Sequence, residues 1–295
     1  MARRLIPWRK APDPAPVDAG DVALRLAVLL GAGVAPARAW AFVAEAEPRL
    51  AGVAVEGAEQ DAAMPALGGE WPAVSTAWRV ARVVGAPLAP SLRAIAEAVR
   101  EARDGHDDLA VALAEPAATA RLMAWLPLVG VALGALLGFD VVGVLLTNPL
   151  GIGCLVAGVL LIAAARRWTR RLVGSARPEP GIPGLADELL AIALSGGVSL
   201  DRARLVVREA AGPVPSAETE RILDLSRSTG APAVELLRAA GAVARHRART
   251  EGRLRVARVS SRLLLPLGVC TLPAFLLLGV APMLVTVLAS TTVSL

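Results

Sequence analysis

The stretch Leu122–Ala165, LMAWLPLVGVALGALLGFDVVGVLLTNPLGIGCLVAGVLLIAAA, decides the fold. Its 44 residues carry one charge, Asp140. A helix rises ~1.5 Å per residue and a bilayer crossing takes ~20 apolar residues. The stretch is therefore too long for one crossing and suits two. A second run, Leu263–Leu295, has no charged side chain. Each run follows a polar stretch with helical periodicity, so the chain reads as domain, membrane, domain, membrane.

Composition points the same way. The chain has 295 residues, room for two modest domains. Its apolar fraction of 55% and mean hydropathy of +0.56 favour a membrane protein. A pI of 10.6 would admit a nucleic-acid partner. The arginines instead flank the apolar runs, as they do at cytoplasmic membrane edges, so no nucleic acid is expected. Cys154 and Cys270 both lie inside apolar runs, which argues against a disulfide or a metal site. Met1–Lys10 is basic, but a Pro-rich segment follows it in place of an apolar signal core. Residues 1–20 read as a flexible cytoplasmic arm.

Residues 21–121 read as a first cytoplasmic helical domain. Val22, Leu26, Leu29 and Leu30 recur at helical spacing from Asp21, and Gly31–Gly33 ends that helix. Further helices are expected over Val34–Ala46, Ala73–Val84 and Leu88–Arg103. Pro48–Pro72 reads as a loop with at most a short helix, and acidic Asp104–Glu115 as a turn plus a short helix. Residues 122–168 read as a transmembrane hairpin. Its first crossing ends near Phe139, Asp140 caps a short interfacial helix Val141–Leu146, and Asn148-Pro149 restarts the chain as N-cap and first helical residue. Arg121 and the cluster Arg166, Arg167, Arg170, Arg171 mark both ends as cytoplasmic. Residues 169–262 read as a linker and a second cytoplasmic helical domain, with helices Leu185–Leu194, Leu200–Ala211, Ala217–Ser228 and a long one from Ala233. Residues 263–289, with Pro266, Pro273 and Pro282, read as the third crossing, and 290–295 as an extracytoplasmic tail. The expected class is all-α: a multi-pass cell-membrane protein with its N-terminus in the cytoplasm.

Little in the sequence suggests catalysis. ATP hydrolysis needs a phosphate-cradling loop ending in Gly-Lys-Ser/Thr, and Lys10 is the only lysine. No catalytic, cofactor-binding or metal residues are expected. His106 and His246 lie in comparable places in the two halves, but one histidine each does not make a metal site, and solvated helix surface is the expectation. Asp140 is either a proton relay or, as its place beside a turn favours, an interfacial helix cap. Gly130, Gly134 and Gly138 form a small-xxx-small stripe suited to close helix packing. Arg245, Arg247, Arg249 and the arginines up to Arg262 face only Glu251 locally. They could attract anionic lipid or an acidic partner, or simply snorkel beside the membrane. Arg245, Arg247 and Arg249 are the candidate partner-binding residues.

The two halves also repeat. Leu29-Leu30-Gly31-Ala32-Gly33-Val34, leading to Arg38-Ala39, lines up with Ala193-Leu194-Ser195-Gly196-Gly197-Val198, leading to Arg202-Ala203. Gly85-Ala86-Pro87 with Leu92-Arg93-Ala94 lines up with Gly230-Ala231-Pro232 and Leu237-Arg238-Ala239, and Leu126-Pro127-Leu128 with Leu265-Pro266-Leu267. Three matches in one order indicate a duplication whose loops have changed length.

With these elements the chain resembles the type II secretion F-domain family. Its members are polytopic inner-membrane platform proteins of type II secretion, type IV pilus and Tad/Flp pilus systems. Leu30–Trp40 and Leu194–Arg204 resemble the start of each F domain, and Gly85–Leu92 and Gly230–Leu237 its second half. Leu263–Pro282 is similar to the closing helix of Tad-type members. The resemblance spans residues 20–290 and departs from the family pattern between Pro48 and Pro72. It implies a non-catalytic scaffold that works with a cytoplasmic secretion or pilus ATPase, pilin-like subunits, a second platform protein or further copies of itself, and membrane lipid. The alternatives are a small permease or channel subunit, disfavoured by the lack of a polar stripe in the crossings, and a membrane-anchored adaptor.

Overall fold

In a computed structural model, the structure describes residues 17–53, 58–136, 141–176, 181–212 and 216–284. Among them there is no strand, and the chain is all-helical as expected. The helices are α1 (Ala19–Gly31), α2 (Pro36–Ala46), α3 (Ala58–Ala66), α4 (Trp71–Val84), α5 (Leu88–Leu136), α6 (Val141–Thr147), α7 (Pro149–Ala176), α8 (Leu185–Ser195), α9 (Leu200–Ala211), α10 (Ala217–Thr229) and α11 (Ala233–Arg262). A last segment runs through α12 (Leu264–Pro266), a π-turn Leu267–Thr271, α13 (Leu272–Phe275) and a second π-turn Leu276–Val280.

Most boundaries follow from local chemistry. Asp18 caps α1: its carboxylate accepts from the Gly20 and Asp21 amides at 2.9 and 3.2 Å. Pro36 and Pro72 sit in the first turns of α2 and α4, where no amide partner is lost. Ser199 and Ser216 cap α9 and α10. Asn148 accepts from the Leu150 amide at 3.0 Å and starts α7 beside Pro149, as the sequence predicts.

Two expectations change. Pro48–Pro72 holds a 3₁₀ turn, Pro48–Val53, and the nine-residue helix α3, because Leu50, Val53 and Met64 find buried places. The acidic segment 104–115 contains no turn, and α5 passes through it as one helix of 49 residues. Gly105 costs a helix about 1 kcal/mol relative to Ala. Tertiary contacts offset that cost: Leu109 is buried with Val256, Val259 and Leu263, and Asp108 pairs with arginines of α11.

The described residues fall into two compact units. The first comprises 17–101 and 181–245. The two stretches expected to be separate helical domains share one core here. Leu26, Trp40, Trp78, Leu92 and Ile95 from the first stretch and Leu189, Ile192, Val207, Leu223 and Leu237 from the second are buried in it. Each such side chain contributes roughly 1.5–3 kcal/mol of burial. Trp40 and Trp78 meet edge-to-face, ring centres 5.7 Å apart. Helix α4 packs on both α8 and α9, and Arg79 Nη2 donates to the Ala210 carbonyl at 2.6 Å. Glycines at left-handed φ recur at matched places. Gly33 (+85°) and Gly197 (+77°) follow the first helix of each stretch, and Gly85 and Gly230 (both +73°) end α4 and α10.

The second unit comprises 102–176 and 246–284. Here the last segment packs into notches left by glycine. A Cβ on Gly130 of α5 would lie 2.8 Å from the Phe275 ring and 3.5 Å from the Gly279 Cα. A Cβ on Gly158 of α7 would lie 2.5 Å from Leu278. The π-turns precede Pro273 and Pro282, where the missing amides and the bulk of the rings disfavour regular helical bonding. Among the described residues one helix, Pro149–Ser175, is long and apolar enough to cross a membrane; a second apolar helix, Gly268–Leu284, is shorter.

Candidate functional site

Among the described residues, the singled-out polar residues that gather into clusters are the arginines of α11, and each unit holds one cluster. In the first unit Arg245 is nearly buried, its side chain 9% exposed. Its Nε donates to Glu101. Glu188 of α8 is 3% exposed and faces two guanidinium groups, Arg245 Nη1 at 4.0 Å and Arg238 Nε at 3.9 Å. Those separations exceed hydrogen-bond length. Burial, the dominant influence, pushes the Glu188 carboxyl above its ordinary value, against the pull of Arg245 and then Arg238. Asp187 is also raised, chiefly by burial, against the hydroxyl that Thr219 donates to it at 2.6 Å. The cluster is framed by a close backbone crossing. A Cβ on Gly184 would lie 2.6 Å from the Gly241 Cα, so only glycine fits where α8 begins beside α11.

In the second unit, Asp108 of α5 accepts from Arg249 at 2.6 and 2.9 Å and from Arg253 at 2.8 Å. Hydrogen bonds from Arg249 and then Arg253 hold its carboxyl below the ordinary aspartate range. Arg247 is exposed on α11. His246 is exposed and His106 half-buried. Among the described residues no three His, Cys, Asp or Glu side chains converge as metal ligands would. Of the predicted glycine stripe, Gly130 meets Phe275 and Gly134 is buried. Gly138 and Asp140 lie outside the described residues.

The sequence missed the acids that answer the arginines. Glu101, Asp108 and Glu188 come from other helices, far along the chain from α11. The available signal was spacing: Glu101 and Asp108 on α5, like Arg238 and Arg245 on α11, stand two helical turns apart and so lie on one stripe. These contacts are ion pairs between helices, and they fix those helices against one another.

A pH dependence follows. A carboxyl raised on folding stabilises the fold below its ordinary value, 4.5 for Glu188, and that contribution is lost as pH rises through the folded pKa. Asp108 acts in the opposite sense. Its contribution is present above 3.8 and lost as pH falls through its lowered pKa. Glu188→Gln should therefore flatten the decline in thermal stability as pH rises above 4.5, leaving the part due to Asp187. An unchanged slope in melts across that range would show that Glu188 does not titrate as its burial requires. No protein-family model, curated protein or solved structure matches this chain.

Proposed function

We propose that this chain is the cell-membrane platform of a type II-like secretion or Tad-type pilus machine, coupling a cytoplasmic ATPase to the extraction of pilin-like subunits. In this reading it crosses the membrane three times, at 122–139, from 149 to near 168, and at 263–289, with the N-terminus cytoplasmic and the C-terminus outside. Apolar side chains exposed along all three runs support immersion in lipid: Leu122, Leu128 and Leu136 on α5; Leu150, Val156 and Leu160 on α7; Leu265, Val269 and Leu276 on the last segment. The matched left-handed glycines support a duplicated helical domain.

One observation carries the coupling role. Helices α5 and α11 are each continuous from the amphipathic helical unit into the apolar one, so motion imposed on the first has an unbroken helical route to the second. The experiment uses Arg247, exposed on α11. In Arg247→Glu, retention of the secretion ATPase by the purified platform should fall by about tenfold, as expected for a charge reversed in a contact. Membrane insertion should persist, because Arg253–Arg262 still mark the cytoplasmic side. Wild-type retention of the ATPase together with wild-type pilus or secretion output would remove α11 as the coupling element.

A further inference from the structure

Helix α7 carries a stripe of two kinds. Val159, Ile162, Ala163, Arg166, Arg167, Arg170 and Arg171 follow one another at helical spacing, so they share one face. An open groove of about 540 Å³ runs along that face, apolar at Val159, Ile162 and Ala163 and basic at the four arginines. Just past it, Leu172 and Val173 pack on Leu109, Val256, Val259 and Leu263, which fixes the end of the helix. All four arginines are exposed. α7 holds no acidic residue, and among the described residues none of the four meets a carboxylate. On α11, by contrast, Glu101 and Asp108 take up Arg245, Arg249 and Arg253. Four uncompensated positive charges thus stand together where an apolar groove ends.

We infer that this face of α7 binds an anionic phospholipid with two phosphates, a diphosphatidylglycerol, each arginine pair holding one phosphate and the acyl chains lying along Val159, Ile162 and Ala163. The inference rests on the reading above that α7 crosses the membrane with its arginines at the cytoplasmic surface. Guanidinium groups hold phosphate through paired N–H donors. Arg166 with Arg167 and Arg170 with Arg171 stand one turn, about 6 Å, apart along the axis. Two pairs on one face therefore offer two phosphate sites. A lipid with a single phosphate would answer one pair and leave the other uncompensated. The apolar end of the groove calls for an amphiphile, which a soluble phosphate is not. Basic hollows on membrane helices at the cytoplasmic side suit such headgroups. Trp168, 40% exposed, stands between the two pairs in sequence and is the residue type that settles at headgroup level.

The probe is tetraoleoyl diphosphatidylglycerol, added to the full chain in mild detergent and followed as retained lipid by native mass spectrometry. Saturable retention is expected, about tenfold tighter than that of dioleoyl phosphatidylglycerol and tighter still than that of phosphatidylcholine. A variant combining Arg166→Lys, Arg167→Lys, Arg170→Lys and Arg171→Lys keeps the charge and the cytoplasmic signal but loses the planar forks. It should weaken retention by about tenfold or more, with an unchanged melting temperature in lipid-free detergent. Arg258→Lys, at an exposed arginine of α11, should alter nothing. Wild-type retention in the fourfold variant, or an equal loss in Arg258→Lys, would reduce the arginines to unspecific charge and overturn the proposal. Equal binding of pyrophosphate or of the deacylated headgroup would make the occupant a soluble phosphate, and the proposal would again fall. Partition into phosphatidylcholine vesicles tests the membrane reading separately. If the chain fails to partition, that reading and the lipid site fall together; if it partitions but retains no diphosphatidylglycerol, the membrane reading stands and the site does not.

Discussion

Gly184→Val should remove most of the stability of the unit formed by 17–101 and 181–245. Two costs act at once. Gly184 has φ of +72°, where an L-residue is strained by roughly 1–2 kcal/mol and a β-branched one by more. Its new Cβ would also lie 2.6 Å from the Cα, 2.7 Å from the carbonyl oxygen and 3.0 Å from the carbonyl carbon of Gly241. Those are backbone atoms inside α11, which cannot move aside as a flexible side chain can. Overpacking of this kind costs about 1–3 kcal/mol or more. The sum, about 2–5 kcal/mol, is a large fraction of the 5–15 kcal/mol by which domains are stable. The natural control is Gly197→Ala. Gly197 has a similar φ of +77° but nothing within 4 Å of a new Cβ, so only the strain should appear. Melting in micelles should therefore show a small shift for Gly197→Ala and a broad or absent transition for Gly184→Val. Equal shifts for the two would mean that the Gly184–Gly241 crossing is not tight.

Gly130→Leu should have the second largest effect, in the other unit. In the membrane reading proposed above, helix association depends on close packing rather than on apolar burial, and small residues at contacts let backbones approach. A leucine at 130 would occupy the space of the Phe275 ring, with the Gly279 backbone directly behind. The expected cost is about 1–3 kcal/mol or more. Gly158→Leu should act likewise by displacing Leu278, which is 7% exposed. Gly153→Leu, on the same helix as Gly158 with nothing within 4 Å of a new Cβ, should be neutral. The measurement is the monodisperse fraction left after heating in mild detergent. A normal fraction for Gly130→Leu would refute the notch. Gly134→Leu, one turn further along the predicted stripe and buried where Gly130 is half-buried, should follow Gly130→Leu.

Much of this was legible in the sequence because it depends on neighbours in the chain. Helices α9 and α11 begin where periodicity and the capping rules place them, and Asn148-Pro149 opens α7. Glycines near 33, 85, 197 and 230 mark breaks that the structure realises as left-handed turns. The all-α class and an apolar helix of crossing length follow from composition and run length alone. Tertiary structure decided the remainder. The acidic stretch at 104–115 has weak helix signals, and it is helical because Leu109 and Asp108 find partners on α11, far away in sequence. Arg245 and Arg249 read as candidates for an acidic partner or anionic lipid, yet Glu101 and Asp108 of the same chain take them up. Val28 and Ile192 occupy matched positions on the same kind of helix, and nothing local distinguishes them. One is exposed and the other buried because six consecutive residues of α8, Glu188–Ala193, are enclosed by neighbouring helices while one side of α1 stays open, and burial depends on which surfaces the folded chain brings together.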